Sequence, residues 1–242
     1  LTVCLLNLRR PENLDEILDA LAAQTAGPRV WLWDNGGDVG TDDPRVDRVV
    51  SAGRNMGCMP RWWLASAAGT EYVCSLDDDL KPADSEVLED MMNVCAERNV
   101  PGIVGPFGWR GRGQFRAGGE VDYRGGQNIR AGAENVAVDL VKGRCMMLPR
   151  RLLGRVPLEP PLPDGARIDR SELLTRCDDI YLNVMVGRGQ PERHLVPHVL
   201  QGRFQEVGGQ NGRALATDPG HYEARARAIE SLLEYWSERS EN

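Results

Sequence analysis

Thr2-Val3-Cys4-Leu5-Leu6-Asn7 is an unbroken apolar run of strand length. An alternating strand keeps one face in water, whereas a continuous run must be covered on both faces, as in a mostly parallel sheet. Its surroundings repeat the theme. Pro11 and Glu12 open a helix in which Leu14, Ile17, Leu18 and Leu21 recur at helical spacing. Residues 29–33 form a second strand that ends in the turn sequence Asp34-Asn35-Gly36-Gly37. Residues 46–50 are a third, short strand, 59–68 a helix carrying Trp62 and Trp63, and 71–76 a further strand. Strand, helix, strand, helix, strand implies right-handed crossovers and a parallel sheet. The fold class is therefore α/β, with ligands expected at the carboxyl ends of the strands. Residues 7–10, 34–37, 54–57 and 77–79 would share that rim, and four polar turns on one rim suggest an elongated pocket.

The strand at 71–76 delivers Asp77-Asp78-Asp79. Three adjacent carboxylates repel one another, and a strand end accepts them only if a cation or a ring of hydrogen-bond donors neutralises the charge. A hard divalent ion is the simplest such cation, because carboxylate oxygens suit magnesium or manganese. The bland reading is a solvated acidic turn that caps the next helix, where Asp84, Ser85 and Glu86 follow.

Residues 83–98 read as a helix with Val87, Leu88, Met91, Met92 and Cys95 on its apolar face, and 102–107 as a strand. Residues 108–132, rich in glycine and arginine, form a long loop or irregular hairpin, of the kind that is usually functional or mobile. Residues 136–148 return to strand character around Lys142-Gly143-Arg144, Pro149 starts a short helix, and 157–168 are irregular. Cys177-Asp178-Asp179-Ile180 opens a helix with two carboxylates in its first turn. A glycine-rich stretch at 208–212 precedes a last helix, 219–238, with His221 and Arg225 one turn apart.

The chain has 242 residues and no linker-like stretch, which favours one domain over its whole length, divided into halves at 1–107 and 108–242. A net charge of -7 disfavours general adhesion to nucleic acid or anionic membrane but permits a local basic patch. Six scattered cysteines without CxxC spacing read as buried thiols in a reducing compartment, so a cytoplasmic setting is expected. There is no apolar run of membrane-spanning length and no signal-peptide pattern.

Taken in order, the first strand with its Arg-Pro-Glu helix, Asp34-Asn35-Gly36, Asn55-x-Gly57, Asp77-x-Asp79, Gly143-Arg144-Cys145 and the Asp178-Asp179 pair resemble the GT-A nucleotide-sugar glycosyltransferases. The first half resembles the large family two of inverting enzymes. The second half looks like the exostosin-like retaining enzymes, in which a Cys-Asp/Glu-Asp-Ile-x-x-Asn motif precedes a terminal helix bearing a His and an Arg four apart. The resemblance implies a Rossmann-like three-layer α/β/α sandwich. It also implies metal-dependent transfer of a sugar from a nucleotide donor, a UDP-sugar above all, to a hydroxyl acceptor such as a glycan or a hydroxylated nucleobase of DNA.

On this resemblance Asp79 and Asp77 hold manganese or magnesium, and Asp78 faces the ribose or the sugar. Asp34 accepts a hydrogen bond from the base, and Arg54 flanks the base or diphosphate. Asn7, Arg9 and Asn55 complete the donor-binding rim. His221 and Arg225 clamp the diphosphate once 208–212 folds over. Asp179, beside Asp178, is either the general base for the acceptor hydroxyl or, in a retaining enzyme, the group that orients the acceptor and stabilises positive charge at the sugar carbon. Bland readings stand beside three of these: helix-start acids for the pair, a surface pair for His221 and Arg225, an exposed side chain for Arg54. Trp109, in a glycine- and arginine-rich loop, is a candidate to stack on an acceptor, and Arg144 is a second acceptor candidate. Arg110, Arg112 and Arg116 either recognise an anionic acceptor or form a solvated loop. A nucleotidyltransferase would need glycines after the first strand, which Asn7-Leu8-Arg9-Arg10 lacks; a non-catalytic nucleotide-sugar-binding protein is the other alternative.

Overall fold

The apolar runs that begin at Thr2, Arg29 and Tyr72 become strands whose side chains are divided between two cores. The computed structural model describes residues 1–37, 39–40, 42–97, 102–208, 218 and 220–240. The chain begins β1 (Thr2–Asn7), α1 (Pro11–Ala22), β2 (Arg29–Asp34), β3 (Arg48–Ser51), α2 (Pro60–Ala67), β4 (Tyr72–Asp77), β5 (Leu80–Pro82) and α3 (Val87–Glu97). Short strands follow: β6 (Phe107–Arg110), β7 (Gln127–Arg130), β8 (Val136–Val138), β9 (Leu140–Val141) and β10 (Cys145–Pro149). Then come α4 (Arg170–Arg176), α5 (Asp178–Gly187), β11 (His194–Val196), β12 (Phe204–Glu206) and α6 (His221–Ser240).

The central sheet has the order β10-β4-β1-β2-β3. β1 pairs in parallel with both β2 and β4, β2 with β3, and only β10 runs antiparallel. Along the strands, Val3, Leu5, Val30, Leu32, Cys74 and Leu76 enter a core completed by α1 and α3, whereas Cys4, Trp31 and Val73 enter one completed by α2, α4, α5 and α6. This is the mixed α/β sandwich with a mostly parallel sheet that the sequence predicts. Leu5, Leu32 and Leu76 are almost completely buried, and each is worth about 1.5–3 kcal/mol relative to exposure. The register Asn7↔Asp34, Leu6↔Asp77 and Asp34↔Ser51 brings the carboxyl ends of four strands to one rim.

The second half departs more from the sequence reading. The helix expected at 83–98 starts only at Val87, because Asp84 caps the Glu86 N–H at 3.0 Å and pairs with Arg203. The strand expected at 102–107 is an isolated bridge at Val104, with β6 beginning at Phe107. Residues 136–148 divide into three strands paired with three different partners. α4 was not expected at all. Of the glycine-rich stretch, 209–212 lie outside the described residues. All ten residues of α5 are buried, so its two leading aspartates enter the interior and must find partners there. Among the described residues no helix is long and apolar enough to cross a membrane. All six cysteines are free, and only Cys58 is not fully buried.

His194 supplies a pH signature. It is 2% exposed; its Nδ1 accepts the Ile103 N–H at 3.0 Å, so the Nε2 at 3.1 Å from the Asn183 carbonyl carries the proton. Burial pushes its pKa down to about 3, whereas an unfolded histidine titrates near 6.5. Between these values the unfolded chain binds the extra proton, so this contribution is complete above pH 6.5 and is lost as pH falls towards 3. Urea unfolding of the wild type is expected to lose about 2–3 kcal/mol more between pH 7 and 4.5 than unfolding of His194→Gln does. Parallel losses in the two proteins would refute the assignment.

Candidate active site

At the rim formed by the strand ends lies a cavity of about 320 Å³. Among the described residues it is lined by five aspartates, the triplet 77–79 and the pair 178–179, against six cationic side chains, Arg10, Arg61, Lys142, Arg144, Arg176 and Arg225. Most of the aspartates are buried, and each is satisfied by guanidinium groups from other elements.

β4 runs out at Asp77, and the turn that leads to β5 folds Asp78 back beneath β1. Asp78 Oδ2 accepts the Leu8 N–H at 2.7 Å, and its Oδ1 accepts from Arg10 Nη1 at 2.9 Å. Asp79 stands between Arg10 at 3.2 Å and Arg144 at 3.1 Å. Arg61, on α2 and 2% exposed, donates to the Asp77 carboxylate, to the Gly143 carbonyl at 3.1 Å and through Nε and Nη2 to Asp178 Oδ2 at 3.0 Å. The Trp62 indole N–H completes the Asp178 shell at 2.9 Å. Asp179 receives a two-pronged pair from Arg225, 3.0 and 2.7 Å, and the Gly143 N–H at 3.1 Å. Gly143 is held between them: a Cβ there would meet Arg61 Nη2 at 3.0 Å and the Asp179 Cβ at 3.3 Å.

These partners divide the acids into two kinds. Burial drives the Asp77 carboxyl upward; Arg61 opposes this, and the charges of Asp79, Asp78 and Asp178 add to it. Burial likewise raises Asp178 despite Arg61. Asp179 behaves oppositely: burial alone would raise it, but the charge and hydrogen bonds of Arg225 outweigh burial and hold it below the usual carboxylate range. Lys142 is pushed down by burial and then by Arg225. His221 is lowered for the same reasons, and its Nδ1 is buried with no hydrogen-bond partner among the described residues.

The cavity unites Asp77, Asp78, Asp79, Arg144, Asp178, Asp179, His221 and Arg225, all singled out in the sequence. It does not include Asn7, Arg9, Asp34, Arg54, Asn55 or Trp109. Asp34 is a correction. It is fully buried, and its carboxylate accepts from Asn7 Nδ2 at 3.0 Å, Gly36 N at 3.1 Å and Val39 N at 3.1 Å, so it holds its own turn instead of facing a base. Asn7, equally buried, serves that turn. Trp109 is a second correction: it lies within β6, fully buried, its ring stacked on Tyr123 at 5.0 Å and its N–H donated to the Tyr123 carbonyl, so it cannot stack on an acceptor. Arg9 is exposed, with a left-handed backbone, while the adjacent Arg10 enters the cavity. Arg54 and Asn55 are exposed, and Asn55 Oδ1 caps the Gly57 N–H at 2.8 Å.

Arg10, Arg61, Lys142 and Arg176 were not singled out. Arg10 had one legible signal, its place between a strand end and the proline that starts α1. Arg61 had none, since an arginine in the first turn of an apolar helix is ordinarily exposed. For a divalent ion the donor chemistry fits: an ionised carboxylate offers about four acceptor positions, of which Asp77 and Asp79 use only part on guanidinium groups. Among the described residues no group of three or more His, Cys, Asp or Glu side chains is arranged to hold a metal. An ion bound here would therefore take its remaining ligands from phosphate and water, as magnesium commonly does.

No family model and no curated protein matches the chain. Among solved structures it is similar to TarS from S. aureus, with a TM-score of 0.46 and 14% identity over 74% of this chain. The match covers 33% of TarS, so this chain spans about a third of that protein.

Proposed function

We propose that the cavity binds a nucleotide-sugar donor, a UDP-sugar in the simplest case, and transfers its sugar to a hydroxyl acceptor, a glycan or a hydroxylated nucleobase. The observation that carries this reading is a cavity at the carboxyl ends of parallel strands in which six cationic side chains face five aspartates, each of them paired with a guanidinium. A diphosphate brings negative charge to a pocket where every carboxylate has a guanidinium partner, while Asp77 and Asp79 keep acceptor positions open for an ion that would bridge to it. Lys142, Arg176 and His221 are the groups nearest to hand for it, while Arg144 and Arg10 flank Asp79.

Asp79 and Asp77 would hold a manganese or magnesium ion, which when bound neutralises charge growing on the leaving phosphate. Asp179 has little tendency to take a proton, because Arg225 stabilises its ionised form. That favours the retaining role, in which a fixed negative charge orients the acceptor and stabilises the electron-poor sugar carbon, over the general-base role, which calls for a pKa closer to the working pH. Asp178 anchors Arg61 and so fixes the floor of the site.

The direct test is a panel of nucleotide sugars offered with manganese, with diphosphate release and donor binding both measured. Failure to bind or turn over any donor, acceptors included, would remove the transferase reading. Asp79→Ala is expected to lose metal-dependent donor affinity by about tenfold or more, the scale of one lost charge-assisted contact. Equal affinity in variant and wild type would end the metal role.

A further inference from the structure

A second cavity, of about 380 Å³, shares no lining residue with the first. Two loops build it. One follows β6 and supplies Arg112, Phe115 and Arg116; the other joins α5 to β11 and supplies Glu192. Asp139, 2% exposed, ties the loops together: one oxygen accepts the Gly111 N–H at 2.7 Å and the other the Glu192 N–H at 2.9 Å. Phe115 is buried at 5% exposure and anchors the first loop.

Three features make this more than a surface hollow. Arg112 and Glu192 both hold left-handed backbone, φ 51 and 53, two of the four non-glycine cases among the described residues. Such conformations are unfavourable and persist only where the surroundings impose them, commonly at binding sites. The arginines are also unevenly matched. Arg110 is fixed, donating through Nε to the Ala137 carbonyl at 3.2 Å and pairing with Glu192 at 3.3 Å. Arg112 and Arg116, exposed at the mouth, make no ion pair or side-chain hydrogen bond among the described residues. Lastly, three guanidinium groups face two carboxylates in this lining; Asp139 is held by backbone donors near Arg110 and Glu192 pairs with Arg110, which leaves Arg112 and Arg116 without an acidic partner among the described residues. Planar guanidinium forks bind oxyanions two-pronged, and a group with three or more free oxygens can engage several forks at once.

We infer that this cleft is an oxyanion site that holds the phosphate group of a phosphate ester through Arg112 and Arg116, with Arg110 as the fixed third arm. The site stands apart from the donor reading. Its use, the seating of a phosphate-bearing acceptor, rests on that reading: β9 leads from Asp139 directly to Lys142 and Gly143 at the first cavity, about 10 Å of extended chain.

The test is titration of the whole protein with inorganic phosphate, dimethyl phosphate and glucuronate, followed by amide chemical shifts, with and without UDP. Saturable shifts on 110–116 and 192 are expected with both phosphates. Affinity should fall about tenfold or more in Arg112→Ala/Arg116→Ala and stay unchanged in Arg29→Ala, an exposed control. An unchanged urea midpoint will show that the double variant folds. If UDP shifts nothing at the first cavity, the donor reading fails while the phosphate result still stands. No saturable shift in the wild type, or equal affinity in the double variant, overturns the site. Tighter binding of glucuronate overturns its assignment to phosphate, and binding of inorganic phosphate alone overturns its use by an acceptor.

Discussion

Arg61→Met is expected to destabilise the fold by about 3–5 kcal/mol, the usual cost of removing one partner from a buried ion pair. Arg61 is the junction of α2, β4, α5 and the turn before β10: it donates to Asp77, Asp178 and the Gly143 carbonyl. Methionine fills much of the same volume but leaves Asp178, 3% exposed, with only the Trp62 N–H. Two consequences separate lost charge pairing from a packing defect. Asp178→Asn in the Arg61→Met background should recover part of the loss, because the unpaired charge is gone. Stability of Arg61→Met should also improve, relative to wild type, as pH falls and the orphaned carboxylates protonate. Urea unfolding at several pH values measures both, and a loss below about 1 kcal/mol would place Arg61 among ordinary surface ion pairs.

On the proposed reading, Asp179→Asn should reduce transfer by about 10²–10³-fold, the range for losing one fixed electrostatic stabiliser, with donor affinity changed little. Asparagine keeps the size and one acceptor oxygen, so the Gly143 N–H retains its partner. What disappears is the negative charge that Arg225 keeps ionised. The buried Arg225 also loses its counter-charge, so a stability loss like that of Arg61→Met accompanies the kinetic effect and is read from the urea midpoint. Single-turnover kinetics beside donor binding separates transfer from affinity. A fall of less than about tenfold in the chemical step would remove Asp179 from the chemistry.

The first half of the fold was legible because its strands are continuous apolar runs joined by helices with a clear apolar stripe; β1, α1, β2 and β4 stand where their patterns put them. The second half was not, because β6 to β9 are two to four residues long and take their pairing from partners distant in sequence. Trp109 shows the difficulty. Its glycine and arginine neighbours read as an open loop, yet Gly126 lies so close to its indole that a Cβ there would overlap Nε1 at 2.2 Å. The acidic rim was visible in Asp77-Asp78-Asp79 and Asp178-Asp179, because runs of carboxylate beside apolar strands and helices demand compensation. That guanidinium groups supply it was legible only as a general requirement. No spacing rule links Arg61 to a residue 117 positions away, and the inward turn of Asp34 depends on Val39 N–H, five residues on.

The way each pocket carboxylate is tied to a guanidinium from another element also constrains how such a sequence can drift. Losing Arg225 alone strands Asp179, and losing Asp79 alone sets Arg144 against Arg10 without a shared counter-charge. Divergence at this rim therefore has to proceed by exchanging partners together. Among relatives, positions 61 and 178, 225 and 179, and 10 and 78 should vary as couples or not at all, a fingerprint that outlasts overall sequence similarity.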